Sequence, residues 1–130
     1  MGKVHGKTQV LRVLEVASAI SESVAESWAK AELIEMGLDF GKVKQNPKLQ
    51  IEGRERRPDF LYEDWLAIEI DGKAKYDGSY GDPIPALQAE RRREKQFLNA
   101  GFTLVRAEWA DLKSGQFRVR VADALRRHRR

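Results

Sequence analysis

Residues 58–75 read Pro58-Asp59-Phe60-Leu61-Tyr62-Glu63-Asp64-Trp65-Leu66-Ala67-Ile68-Glu69-Ile70-Asp71-Gly72-Lys73-Ala74-Lys75, and they place acid inside what the hydrophobic pattern marks as core. Trp65 to Ile70 is a short apolar run rich in β-branched and aromatic side chains, the pattern of a strand covered on both faces. Side chains alternate along a strand, so Leu66, Ile68 and Ile70 share one face while Ala67, Glu69, Asp71 and, if the strand continues, Lys73 and Lys75 share the other. Acid and amine therefore line up together. Arg57 precedes a proline and is pushed toward extended backbone, and Tyr62-Glu63-Asp64 has the composition of a reversal. An odd-numbered hairpin loop centred on Asp64 puts Asp59 directly across from Glu69.

Two ionised carboxylates within about 4 Å repel in a partly dry site, and desolvating each costs roughly several kcal/mol. A hard divalent cation relieves both costs. Mg²⁺ takes oxygen ligands and usually keeps several waters, and Mn²⁺ is the usual substitute. A neighbouring lysine is then placed to steady an attacking water.

Pro58-Asp59 followed by Glu69-Ile70-Asp71-Gly72-Lys73 resembles the PD-(D/E)XK nuclease core. More narrowly it is similar to the small very-short-patch-repair-like endonuclease domains, in which Glu-x-Asp-Gly is followed by Lys-Tyr, here Lys75-Tyr76. Three further elements match in the same order: Ser23-x-x-Glu26-Ser27, Glu90-x-x-Arg93-x-x-x-Phe97-x-x-x-Gly101, and Val105-Arg106 leading to Trp109-x-Asp111-Leu112. The resemblance implies a restriction-endonuclease-like α/β domain that hydrolyses phosphodiester bonds in DNA. Asp59, Glu69 and Glu26 would bind Mg²⁺ (or Mn²⁺), and Asp71, Lys73 and Lys75 would assist. In longer relatives of that family a winged-helix segment precedes the nuclease domain, and here any such partner is expected to be either missing or separate. One departure stands: the scheme's lysine follows its acid by two, where Glu69 gives Asp71 and Asp71 gives Lys73. The narrower family aligns Lys75 instead, so the assisting amine is open between them.

The chain has 130 residues, the size of one domain. It contains no cysteine, which excludes disulfides and Cys-based zinc sites and is compatible with the cytoplasm. No apolar run long enough for a membrane span is present. The net charge of +4 is compatible with a polyanionic partner, and its distribution says more than its sum. Arg54, Arg56 and Arg57 precede the acids, Arg91, Arg92, Arg93 and Lys95 lie mid-chain, and Arg126, Arg127, Arg129 and Arg130 close the sequence. The arginine fork suits phosphate, and with Arg93 and Arg106 placed at the site by the resemblance, the expected DNA contacts are Arg57, Arg92, Arg93 and Arg106. Solvated helix faces are the competing account.

Residues 1–20 are expected to be a lead-in plus one helix ending near Ser18, with the nuclease domain over 21–130. Within it a helix starts at Ser21 and stops at Gly37, burying Val24, Trp28, Ala31 and further residues such as Leu33 and Ile34. Ser23-x-x-Glu26 also matches a capping box, a purely structural role for Glu26. Residues 40–45 and 48–52 are expected to be strands around an Asn46-Pro47 turn, 76–85 a loop whose Tyr76 and Tyr80 could stack on bases, and 85–100 a helix stopped by Gly101. Residues 102–107 are a second central strand, and 116–129 a basic helix or tail. The expected architecture is a mixed sheet of four or five strands with helices packed on it. Two alternatives to a nuclease remain: a catalytically inactive nucleic-acid-binding module of a defence or toxin-antitoxin system, and a structural domain whose acids only pair with Arg57 and Lys73.

Overall fold

The computed structural model describes residues 2–73 and 83–129. Its elements are helix α1 (Gly2–Glu35), strands β1 (Val43–Gln45), β2 (Leu49–Ile51), β3 (Arg54–Arg56), β4 (Phe60–Tyr62) and β5 (Leu66–Asp71), helix α2 (Pro83–Asn99), strand β6 (Thr103–Glu108), and helices α3 (Trp109–Ser114) and α4 (Gln116–His128). The fold is α/β: a four-stranded mixed sheet in the order β1-β4-β5-β6, with β2 and β3 forming a separate hairpin.

The β4–β5 hairpin follows the expected register. Phe60 pairs with Ile68, Leu61 with Ala67 and Tyr62 with Leu66, around a three-residue loop in which Glu63 and Asp64 adopt positive φ. β6 then adds parallel to β5, with Glu69 opposite Arg106 and Asp71 opposite Glu108. The parallel pair needs a crossover, and α2 provides it. β5 is covered on both faces, as its apolar run requires. Leu66 and Ile68 pack with Phe60, Val105, Ala107, the α1 residues Ala25, Ala29 and Leu33, and Phe117 and Val121 of α4. Ala67 packs on the other side with Leu61, Leu104, Phe97 of α2 and Ile51 of the small hairpin.

Both glycine stops act as expected. Gly37 and Gly101 are left-handed, and each closes its helix with a pair of reaching amides: Gly37 to Ile34 O and Leu38 to Leu33 O, Gly101 to Leu98 O and Phe102 to Phe97 O. In each case the residue after the glycine packs against the helix, which is the Schellman arrangement with its apolar contact.

Three expectations are corrected. Residues 2–35 form one helix instead of two, because nothing between Ala17 and Ser23 is a glycine or proline and the alanines favour continuation. Ser23 and Glu26 therefore lie mid-helix, where the backbone amides are already bonded, and form no capping box. The buried stripe is Ala25, Ala29 and Leu33, while Val24 and Ile34 are exposed at 49% and 52%. Small residues win this face because the helix lies almost against the β5 backbone. Residues 40–42 form a 3₁₀ turn capped by Asp39, so β1 begins only at Val43. Among the described residues no helix is long and apolar enough to cross a membrane.

Candidate functional site

The site starts from the hairpin. One step past the Phe60–Ile68 pair, Asp59 comes to lie across from Glu69, and its Oδ2 accepts a hydrogen bond from the Ile70 amide at 2.6 Å. These residues open into a cleft of about 370 Å³ whose acidic lining comes from Glu22 and Glu26 of α1, Asp59, and Glu69 and Asp71 of β5. Arg57, Lys73, Arg93 and Arg106 complete its wall.

Burial pushes the Asp59 carboxyl above the usual aspartate range, the Ile70 amide opposes this, and the charges of Glu26, Glu69 and Glu22 push it further up. Ionised Asp59 is thus disfavoured by desolvation and by like charge together, the condition that a cation in the cleft would relieve.

Glu69 is already compensated. Its Oε1 accepts from Arg93 Nη2 at 2.6 Å and its Oε2 lies 3.4 Å from Arg106 Nε. Arg106 also reaches Glu90 at 3.1 Å, so the chain Glu90–Arg106–Glu69–Arg93 ties α2 to the two central strands. The Glu69 side chain is only 12% exposed, which places these pairs in a poorly screened environment. Arg93 Nε is buried with no hydrogen-bond partner among the described residues.

The end of β5 is fastened to α1. A Cβ at Gly72 would sit 2.7 Å from Ala25 Cβ and 2.9 Å from Glu22 Cα, so only glycine lets the strand pass this close. Its carbonyl accepts from Ser21 Oγ at 2.6 Å and from Trp109 Nε1 at 3.0 Å, and the indole also lies 2.9 Å from Ser21 Oγ. Three segments far apart in sequence meet at one carbonyl. The contact holds the α1 carboxylates beside those of β5.

Of the residues expected at a metal, Asp59, Glu69 and Glu26 all line the cleft. They do not close into a ready set: among the described residues no group of three or more His, Asp or Glu side chains is arranged to hold a metal ion. Glu69 is held instead by two arginines. An ion such as Mg²⁺ takes one or two carboxylates and keeps its waters, so it does not require a closed protein cage. Asp71 and Lys73 line the cleft, and Asp71 Oδ1 accepts from the Lys73 amide at 3.2 Å. Lys75, Tyr76 and Tyr80 lie outside the described residues.

Arg57, Arg93 and Arg106 reach the cleft, whereas Arg92 is exposed and does not line it. One residue before Arg93 on a helix means about 100° around the axis, enough to turn it away. Arg93 faces the cleft as expected and pairs with Glu69, while Glu90 of the same helix pairs with Arg106. Nor do the acids pair as a purely structural reading expects: Arg57 pairs with Glu55, and Glu69 turns to Arg93 and Arg106.

Glu22 is a cleft residue that the motif comparison overlooks. Its signal was present, since it stands one helical turn before Glu26 and shares its face. A second, larger groove of about 860 Å³ runs between α2, β6 and α4 and shares only Arg106 with the cleft. Its charged lining is Glu90, Glu94 and Asp123 with Arg106, Arg120 and Arg127, and it holds none of the acids expected at a metal.

No protein-family model, no curated protein and no solved structure matches this chain.

Proposed function

We propose that this chain is a divalent-metal-dependent endonuclease that hydrolyses phosphodiester bonds in DNA, built on a PD-(D/E)XK-type, restriction-endonuclease-like sheet. The observation that carries the reading is Asp59. Its carboxylate is raised by burial and by three neighbouring acids inside a cleft rimmed by arginine and lysine. Carboxylates so crowded call for a cation, and guanidinium groups beside them suit the phosphates of a bound strand.

Asp59 and Glu69 would hold the ion, with Glu26 and Glu22 acting through intervening water. A bound Mg²⁺ or Mn²⁺ would polarise the scissile phosphate and lower the pKa of the attacking water. Lys73 would orient that water or neutralise a phosphate oxygen, and Asp71 would fix the backbone carrying Lys73. Arg57, Arg93 and Arg106 would position the strand. For Arg93 and Arg106 this means exchanging Glu69 for phosphate.

The second reading, a DNA-binding module without cleavage, is favoured by the two arginines on Glu69. Supercoiled plasmid incubated with Mg²⁺ or Mn²⁺ separates the two. Nicking by the wild type, abolished in Asp59→Asn, supports the nuclease. DNA retardation without nicking, unchanged in Asp59→Asn, supports the binding module.

A further inference from the structure

Helix α1 carries a second apolar stripe that its own domain does not use. Val10, Val13, Ala17, Ile20, Val24, Ser27, Ala31 and Ile34 follow each other at alternating intervals of three and four, the a and d positions of a heptad. Their exposure is the reverse of what apolar residues normally show, from 49% at Val24 to 65% at Val13, with Ser27 and Ala31 also exposed and only Ala17 half-buried. The stripe that packs on the sheet, Ala25, Ala29 and Leu33, lies roughly 160° around the helix. In a chain with 34% charged residues, eight successive seam positions hold none.

We infer that this seam is a dimer interface, in which α1 pairs antiparallel with α1 of a second copy of this chain. A three-four seam accepts a helix, because each side chain needs the four-residue hole that only a facing helix offers. A second copy presents the same seam over the same length, as two-fold symmetry requires. Direction follows from charge. Residues 6–20 hold Lys7 and Arg12 against Glu15, a net of +1, while residues 21–35 hold Glu22, Glu26, Glu32 and Glu35 against Lys30, a net of −3 that Arg118 of α4, paired with Glu32 and Glu35, brings to −2. Antiparallel pairing lays the basic half on the acidic half, and parallel pairing sets like on like.

The register closes as well. Centred near Glu22, it puts Val10 against the partner's Ile34, Val13 against the partner's Ala31, Ala17 against the partner's Ser27, and Ile20 against the partner's Val24. Every layer then joins an a position to a d position, and Lys7, flanking the seam, comes within two residues of the point opposite the partner's Glu35. The seam is about 36 Å long. A helix pair of that length forms an interface at the small end of those that specific partners bury, so association is expected to be reversible and concentration-dependent.

Sedimentation of the full chain over a concentration series is the first test. The expected result is reversible growth from 14.9 kDa to twice that mass, with at least tenfold weaker association for Ile20→Glu and for Val13→Glu. Both positions are exposed, and circular dichroism verifies that the variants fold. Orientation is read with cysteines, since the native chain has none. Ala17→Cys and Ser27→Cys proteins, mixed with a mild added oxidant, should form the mixed disulfide between the two variants. A monomer at every concentration, a dimer untouched by Ile20→Glu, or disulfides only within each variant would overturn the inference. None of these readouts involves DNA or metal.

Discussion

The backbone amide of Ile70 donates to Asp59 Oδ2 at 2.6 Å. The carboxylate that the cleft most disfavours as an anion is therefore tied to the strand that carries Glu69 and Asp71, and it cannot swing away to relieve the repulsion. The energetic cost stays in the folded state.

That cost has a pH signature. Because folding raises the Asp59 pKa, the folded chain binds this proton more tightly than the unfolded chain. Stability contributed by the group falls as pH rises from the ordinary aspartate range through the raised value, and the penalty is complete above it. Asp59→Asn, whose amide oxygen can still accept from Ile70, should melt at a higher temperature than wild type at pH 7 without metal. The gain should shrink below pH of about 4, where aspartate is protonated in both states. Thermal melts at the two pH values check this.

Mg²⁺ or Mn²⁺ should raise the melting temperature of the wild type and leave Asp59→Asn nearly unchanged, since a ligand stabilises only the state that binds it. A metal titration with an equal rise in both proteins would remove Asp59 from the site.

Arg93→Ala releases one oxygen of Glu69 and removes a donor from the cleft wall. Metal affinity measured without DNA should rise, while DNA affinity should fall roughly tenfold, about 1.4 kcal/mol. The slope of DNA affinity against salt should drop by about one contact. Opposite signs in the two titrations are the diagnostic result.

Gly72→Ala drives a methyl into Ala25 Cβ and the Glu22 backbone. The loss should be about 1–3 kcal/mol, the usual range for overpacking. Trp109→Phe keeps most of the ring but removes the donor to Ser21 and Gly72, and should cost about 1 kcal/mol. Denaturant midpoints measure both.

The β4–β5 hairpin was legible because Pro58, the turn acids and strict alternation all constrain the same register, and one slip would have exposed Leu66 and Ile68. The stops at Gly37 and Gly101 were legible for a similar reason, since only glycine enters the left-handed cap freely. Helix α1 was misdivided because the exposed Val10–Ile20 segment resembles a separate amphipathic helix, and local pattern does not reveal where a continuous helix leaves its domain. The ion-pair partners of Glu69 were not legible. Glu90 and Arg93 look matched on their own helix, yet the parallel pairing of β5 with β6 brings Arg106 within reach and rearranges both contacts. Glu22 was missed because the family motif includes only Glu26, although the two stand one turn apart on the same helix face.

The Gly72 carbonyl, gripped by Ser21 and Trp109, also acts as a fulcrum. From Ser21 back to Lys7 the helix runs for about 20 Å, and Glu22 and Glu26 sit immediately on the other side of the pivot. The two carboxylates of the acidic wall that belong to α1 are thus seated next to the point where that helix is anchored, and their placement depends on that one carbonyl.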